Sequence, residues 1–316
     1  MNLVAQSDAF LAHITLGLAE NSRNAYTQAV RNFTDYFPER DPATIFSKDI
    51  GAWMQHLATS KKNKPQYIRY QLMTVRRFFT WLADQKIIHE DHLDIFIPRK
   101  LPKLISIPTE KVPITEDQQR HIMAYVRRGD CRHWWTTACL IGWHTGLRLS
   151  DIATVEWTQI DWTEEILRAT PIKTRRLGKS VSIPMDEELV EHLAALKAQP
   201  YYESKWIIPD MAGFYIGENG RQRLTDQFKG IARQAGFPHL SIHCYRHGFV
   251  SRLLNAGVEP IIISSMTAQS TQQIEEYAHI SDEAKREAMA KARGAMHRAK
   301  LRQRGVEPVT YSPNQL

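Results

Sequence analysis

Apolar residues recur three or four positions apart through the first third of the chain, which is the spacing of one helix face. The first such face comprises Tyr26, Val30, Phe33 and Phe37. Ser22 precedes it as a candidate N-cap, and Ser47 precedes a second apolar run in the same way. The clearest run begins at Pro65, because proline suits the first turn of a helix. Residues 1–97 are therefore predicted to form a helical bundle.

Four prolines then interrupt the helical spacing: Pro98, Pro102, Pro108 and Pro113. Prolines at this density disfavour the interior of helices and sheets. Residues 98–113 are therefore predicted to link the bundle to a second domain, residues 114–316. Thr115 and Gln118 form the pattern of a capping box at the start of its first helix.

A more apolar helix is predicted around residues 134–143, and Gly146 is expected to end it. Ser150 or Asp151 is a candidate cap for the helix that follows. Arg148 then lies in the turn between two helices. A charged side chain between two leucines is expected to have a partner, because burying it unpaired is costly.

The spacing changes to alternation in two later segments, Ile166 with Arg168 and Val181 with Ile183. Alternation predicts antiparallel strands around a glycine-containing turn, with Lys173 at the end of the first strand. A short strand is predicted at residues 206–208, and helical spacing returns on both sides of it. The expected fold class is mainly α with a small antiparallel β-sheet.

The net charge of +7 favours an anionic partner. Part of the excess lies along one edge of the predicted bundle, at Lys61, Lys62, Lys64, Arg69, Arg76 and Arg77. These residues are candidates for contacts with double-stranded DNA. A solvated helix surface is the alternative, because most runs of charge are simply solvated.

The three cysteines have no Cys-x-x-Cys spacing, so they predict reduced thiols and neither a disulfide framework nor a zinc site. The N-terminus lacks a basic region followed by an apolar core, and no stretch reaches the length of a membrane span. A cytoplasmic protein without a membrane segment is expected.

Five residues suited to phosphoryl transfer stand at the edges of the predicted elements: Arg148, Lys173, His243, Arg246 and Tyr277. Arginines hold phosphate oxygens, histidine and lysine move protons, and tyrosine forms a covalent aryl phosphate. This chemistry requires no metal. Taken alone, His243 is better explained as a core histidine and Tyr277 as a buried aromatic residue.

Four motifs in order show that these segments resemble the tyrosine recombinases, the phage integrase family. The family's Thr-Gly-Leu-Arg-x-Ser-Asp/Glu matches residues 145–151, and its hairpin lysine matches Lys173. Its His-x-x-Arg-His motif matches residues 243–247, and its Tyr-x-His matches Tyr277 and His279. The N-terminal helices resemble the family's core-binding, SAM-like domain.

The resemblance implies a role for each residue. Tyr277 attacks the scissile phosphate to give a 3′-phosphotyrosine, and a partner strand then displaces it without ATP or a cofactor. Arg148, His243 and Arg246 hold the phosphate, and Asp151 supports the arginine and the histidine. Lys173 is the general acid, with Lys179 in the same turn as the alternative, and Arg175 is expected to contact DNA.

The resemblance also implies partners. Family members close around DNA as a C-shaped clamp and act as homo-tetramers on recombination sites, so integration, excision or transposition of a mobile element is expected. Accessory DNA-bending or directionality factors are possible partners. A C-terminal helix over residues 281–304 is expected to dock on a neighbouring protomer.

One position departs from the family. Nine residues before the tyrosine, after a glycine, the family has histidine or tryptophan, whereas this chain has Ala268. Alanine neither donates a hydrogen bond to a phosphate nor packs as an aromatic. Gln269 is a candidate replacement donor.

Two other functions remain open at this point. Ala268 is compatible with a weakened active site in an accessory DNA-binding factor, and the same chemistry serves type IB topoisomerases. Intact Arg148, Lys173, Arg246 and Tyr277 argue against the first alternative, and a helical N-terminal domain argues against the second.

Overall fold

A computed structural model describes residues 3–105, 112–175, 178–199, 203–275 and the single residues 277 and 293. The chain divides into two compact units, Met1–Thr109 and Glu110–Leu316. No helix within the described residues is long and apolar enough to cross a membrane. The C-terminal helix predicted over residues 281–304 lies outside the described part, apart from Arg293.

The first unit is helical, as predicted. Its described α-helices are α1 (Leu3–Ile14), α2 (Glu20–Thr34), α3 (Ser47–Thr59) and α4 (Pro65–Asp84), with short 3-10 helices at Pro42–Thr44, Glu90–Phe96 and Pro98–Lys100. The start of α4 at Pro65 is confirmed. Phe33 contacts Trp53 and Phe79 edge-on, with ring centroids 5.1 and 5.8 Å apart, so α2, α3 and α4 share one core.

Two predicted caps in this unit are wrong. Helix α2 begins two residues before Ser22, with Ala19 as its N-cap. Helix α3 begins at Ser47 itself, and the Asp49 side chain accepts a hydrogen bond from the Phe46 backbone nitrogen at 2.9 Å. Sequence spacing locates these helices, but α2 has no side-chain cap hydrogen bond, and Asp49 supplies the acceptor at the start of α3.

The second unit combines helices with a small sheet, which confirms the predicted fold class. Its described elements are α5 (Glu116–Arg127), α6 (Trp134–Thr145), α7 (Leu149–Ala153), β1 (Ile160–Asp161), β2 (Ile166–Ala169), β3 (Val181–Pro184), α8 (Glu187–Lys197), α9 (Pro209–Ile216), α10 (Gly220–Gln234), α11 (His243–Asn255), α12 (Pro260–Thr267) and α13 (Thr271–Glu275). The Thr115–Gln118 capping box is present in both directions. The strand predicted at residues 206–208 is wrong, because Trp206 forms only an isolated bridge with Glu156.

The sheet is an antiparallel meander in the order β1-β2-β3. Leu167 pairs with Ile183 and Ala169 with Val181, so the buried side of β2 faces the same core as β3. Strand β2 ends at Ala169, four residues before Lys173. Lys173 therefore lies in the connection between β2 and β3, not at a strand end.

Gly146 ends α6, as predicted, in a left-handed conformation with φ of 60°. Arg148 is the N-cap residue of α7, and neither Ser150 nor Asp151 caps that helix, because both lie inside it. A Cβ at Gly146 would stand 2.6 to 2.9 Å from three atoms of Phe249 on α11. The turn that carries Arg148 therefore packs closely against α11.

Replacing Gly146 with alanine is expected to lower the free energy of unfolding, measured in urea. The left-handed conformation costs an alanine about 1–2 kcal/mol, and overpacking against Phe249 adds about 1–3 kcal/mol. Gly129→Ala is the matched control, because Gly129 also has a positive φ but nothing within 4 Å of the added Cβ. Equal losses in the two variants would contradict the close packing at Gly146.

Candidate active site

Arg246 lies on the first turn of α11 and is 2% exposed. Its Nη1 donates to the Gly146 carbonyl oxygen at 2.9 Å, and its Nη2 donates to the Thr267 carbonyl oxygen. Burial, followed by the charge of Arg148, lowers the pKa of Arg246. The guanidinium remains a cation at neutral pH and ties α11 to the ends of α6 and α12.

Arg148 is half-buried at the start of α7. Its Nη1 is buried and has no hydrogen-bond partner among the described residues. An unsatisfied guanidinium nitrogen is costly, and a phosphate oxygen is the acceptor that fits it best. The positive charge of Arg148 helps to lower the pKa of Arg246, so the two guanidinium groups lie in one electrostatic cluster.

Asp151 is buried on α7, and its Oδ1 accepts from the Ile172 backbone nitrogen at 2.9 Å. Its Oδ2 is buried without a hydrogen-bond partner among the described residues. Burial raises the pKa of Asp151, while the Ile172 hydrogen bond and the charges of Arg148 and Arg246 oppose that rise. Asp151 therefore fixes the β2–β3 connection beside Arg148, and it acts on the arginines through charge.

His243 is the first residue of α11. Loss of hydration lowers its pKa most, and positive charges add to this effect, bringing the pKa to about 4. These charges belong to Arg246, Arg148, Arg221 and Lys173. The imidazole is therefore neutral at pH 7, and a bound phosphate would favour its protonation. Lys179 is not among these cations, which distinguishes it from Lys173.

Tyr277 is 7% exposed and packs with Val250, Ile263 and Ile274, one residue from each of α11, α12 and α13. Its Oη lies 2.7 Å from Nδ1 of His247, one turn after His243 on α11. The described contacts hold the hydroxyl group at the same helix that carries His243 and Arg246. The structure thus brings all five predicted residues into one electrostatic or contact network.

Ala268 adopts a left-handed conformation at the end of α12, with φ of 50°. Glycine is the residue that most easily adopts this conformation, and helices commonly end in it, so an alanine here is unusual. Gln269 comes next, and its Nε2 reaches Tyr277 Oη in a long contact of 3.5 Å. Gln269, rather than Ala268, therefore faces the hydroxyl group.

The family model for the phage integrase family matches residues 113–284, and the model for a phage integrase N-terminal SAM-like domain matches residues 7–89. The chain belongs to the phage integrase family. This confirms the resemblance that the four motifs indicate.

Relatives of this integrase-family chain span nearly its whole length. It is 23% identical over 300 residues to a tyrosine recombinase of Thermosipho africanus, covering 89% of this chain and 96% of the relative. It is 23% identical over 282 residues to the tyrosine recombinase XerD of Listeria innocua, covering 84% and 90%.

Solved integrases share the fold. The Tn1549 transposon integrase in complex with circular intermediate DNA matches with a TM-score of 0.72 at 17% identity, over 92% of this chain and 99% of that chain. A lambda integrase dimer bound to a COC′ core site matches with a TM-score of 0.69 at 15% identity, over 88% and 95%.

Several predicted site residues of this integrase-family chain belong to the first unit, make none of the contacts described above, or lie outside the described residues. The basic residues Lys61, Lys62, Lys64, Arg69, Arg76 and Arg77 are exposed in the first unit. Arg175 is exposed in the β2–β3 connection, and His279 lies outside the described residues.

Two residues were missed as participants. His247 was matched only as the last residue of the His-x-x-Arg-His motif and given no catalytic role, although its spacing of four residues from His243 on a helix predicts a shared face. The two rings lie edge to face, with centroids 4.7 Å apart. Arg221 at the start of α10 is a second missed residue, and no sequence motif pointed to it.

The lowered pKa of His243 predicts a pH dependence of stability. The folded state binds fewer protons than the unfolded state between about pH 4 and 6.5, so the free energy of unfolding should fall as pH falls through that window. His243→Gln should lose less stability over the same range, because it takes up no proton. Urea unfolding at a series of pH values measures both, and identical pH slopes would contradict the shift.

Proposed function

We propose that the chain is a site-specific DNA recombinase that cleaves and rejoins DNA through a 3′-phosphotyrosine at Tyr277. One observation carries the proposal. The Tyr277 hydroxyl group is held against α11, the helix that places His243 and Arg246 beside Arg148 and Lys173. A nucleophile next to a group of cations is the arrangement needed to attack a phosphodiester.

Arg148, Arg246 and His243 hold the non-bridging oxygens of the scissile phosphate. Arg246 already uses two nitrogens on backbone carbonyls, so it presents a fixed orientation at no further conformational cost. The unpartnered Nη1 of Arg148 donates to the negatively charged oxygen. Neutral His243 contributes a hydrogen bond instead of a further full charge.

Lys173 is the general acid that protonates the leaving 5′-oxygen. Its ammonium group is exposed in the β2–β3 connection, and its charge contributes to the lowered pKa of His243, so it belongs to the same cluster of cations. Asp151 positions that connection through the Ile172 amide. Gln269 supplies the donor that Ala268 lacks, next to the tyrosine oxygen. The phosphotyrosine conserves the energy of the broken bond, so rejoining needs neither ATP nor a metal.

The partner is a double-stranded recombination site, and strand exchange between two duplexes requires a homo-tetramer. The biological role is movement of a mobile element, by integration, excision or transposition. The solved integrases with this fold are complexes with circular intermediate DNA or a core site. Their fold and the cationic site support this role.

The first unit binds the DNA backbone through its basic residues. Arg77 donates to the Tyr26 hydroxyl group, and Tyr67 and Tyr70 are exposed and stacked with centroids 6.4 Å apart. An exposed face of arginines and aromatic residues is a common nucleic-acid surface. Lys61, Lys62 and Lys64 extend this face at the start of α4.

Replacing Tyr277 with phenylalanine should abolish the covalent protein–DNA adduct on a nicked suicide substrate, because the attacking oxygen is gone. The adduct is measured by denaturing electrophoresis. Tyr125→Phe on α5 is the matched control and should form the adduct at the wild-type rate. An adduct in Tyr277→Phe would contradict the mechanism, and wild-type DNA binding without any adduct would favour an accessory factor.

Replacing Arg76 with glutamine should weaken DNA binding equally for all sequences. The slope of log affinity against log salt concentration should become shallower by about 0.9 for each phosphate that the protein no longer neutralises. Lys48→Gln is the control, because Lys48 lies in the first turn of α3, about three helical turns before the end that leads to Lys61. Equal changes in slope for the two variants would contradict a specific DNA face.

A further inference from the structure

The hydroxyl group of Tyr277 contacts an imidazole that the four-motif resemblance did not assign to catalysis. Nδ1 of His247 lies 2.7 Å from Tyr277 Oη, and the two ring centroids are 5.2 Å apart. This distance is within the range in which a general base removes a proton directly. The other side chain reaching that oxygen in a described hydrogen bond is Gln269, at the longer 3.5 Å.

We propose that His247 is a catalytic residue that accepts the proton of Tyr277 as the tyrosine attacks the phosphate. The proposal rests on the recombinase function proposed above and assigns a step within it. His247 acts when its ring hydrogen is on Nε2, which leaves the Nδ1 lone pair facing the phenol.

The neighbouring groups are poor proton acceptors. The Gln269 amide has no basic nitrogen, and an arginine such as Arg246 keeps its proton in proteins. Loss of hydration and then the charges of four cations lower the pKa of His243 to about 4, so it is a weak base for a phenol proton. Tyr277 is 7% exposed, so access of bulk water to its hydroxyl group is restricted.

The proton balance of the step is complete. The O–H bond of Tyr277 breaks and its proton moves to His247 Nδ1, while the Oη–phosphorus bond forms. The phosphorus–O5′ bond breaks, and Lys173 supplies a proton to the leaving oxygen. In rejoining, a 5′-hydroxyl gives its proton back to Lys173 and attacks phosphorus, the Oη–phosphorus bond breaks, and the departing Tyr277 oxygen recovers its proton from His247.

The fold holds His247 in this position. His243 and His247 are four residues apart on α11, and their rings pack edge to face. Val250, on the same helix, belongs to the apolar cluster around Tyr277. The contact between His247 and Tyr277 is thus fixed at both ends before DNA binds.

The test compares substrates with oxygen or sulfur at the bridging 5′ position of a nicked suicide site. A sulfur leaving group departs as a thiolate and needs no general acid, so Lys173→Ala should be slow with oxygen and close to wild type with sulfur. His247→Asn keeps an amide near the Nδ1 position but takes no proton. It should cleave both substrates about 10²-fold or more slowly, with unchanged DNA affinity and thermal midpoint.

Two results would overturn the assignment. One is cleavage by His247→Asn at the wild-type rate, and the other is recovery of its cleavage rate on the sulfur substrate, as expected for Lys173→Ala. If His247→Asn folds poorly, the second test is cleavage by His247→Ala with added imidazole. Restored cleavage supports the proposal. A folded His247→Ala variant whose cleavage imidazole does not restore contradicts it. His133→Gln, an exposed histidine paired with Asp210 at 3.2 Å, is the control for loss of an imidazole. Failure of the recombinase function itself is distinguishable, because wild type would then form no adduct.

Discussion

The buried guanidinium of Arg246 is the interaction on which the rest of the candidate site depends. The carbonyl groups of Gly146 and Thr267 lie at the C-terminal ends of α6 and α12, where helices leave acceptors unsatisfied and the helix dipole is negative. One cation donates to a carbonyl group at each of these ends. It thereby fixes the turn that carries Arg148 and the turn that carries Ala268 and Gln269.

Because Arg246 bonds to backbone carbonyl groups and also belongs to the candidate site, one side chain affects both the stability of the fold and the proposed reaction. A variant that removes Arg246 would remove a proposed phosphate ligand and also the donor to the Gly146 and Thr267 carbonyl groups, so its activity alone would not report on phosphate binding. The Arg148 Nη1 atom differs, because it is buried and has no hydrogen-bond partner in the described structure. Removing Arg148 relieves an unsatisfied group, so loss of activity there can be attributed more directly to the phosphate.

Local signals in the sequence predicted much of the fold, whereas the site depended on motifs. Pro65 and the Thr115–Gln118 capping box determine helix starts through their own geometry, so they could be predicted without tertiary contacts. Ser22 was misjudged because α2 begins at Glu20, with Ala19 as its N-cap and no side-chain cap hydrogen bond, so its start lacks the signal that a capping serine gives. Motif order found the catalytic candidates, although spacing alone does not show that they meet. Gln269 was a candidate donor from its place beside Ala268, but the left-handed turn that precedes it could not be predicted, because an alanine does not signal that turn as a glycine would.

The electrostatics of the network explain why it suits an anion. Asp151 is the acidic neighbour that opposes the arginines, yet its Oδ1 is used by the Ile172 amide and burial raises its pKa. Within the described residues, Arg148, Arg246 and Lys173 are therefore only partly neutralised, and the low pKa of His243 reflects loss of hydration together with that excess of positive charge. In the proposed reaction, a bound phosphodiester would relieve the repulsion among these cations. The same field would stabilise the additional charge that develops on phosphorus-bound oxygens during attack, so the proposed binding and catalysis share one physical origin.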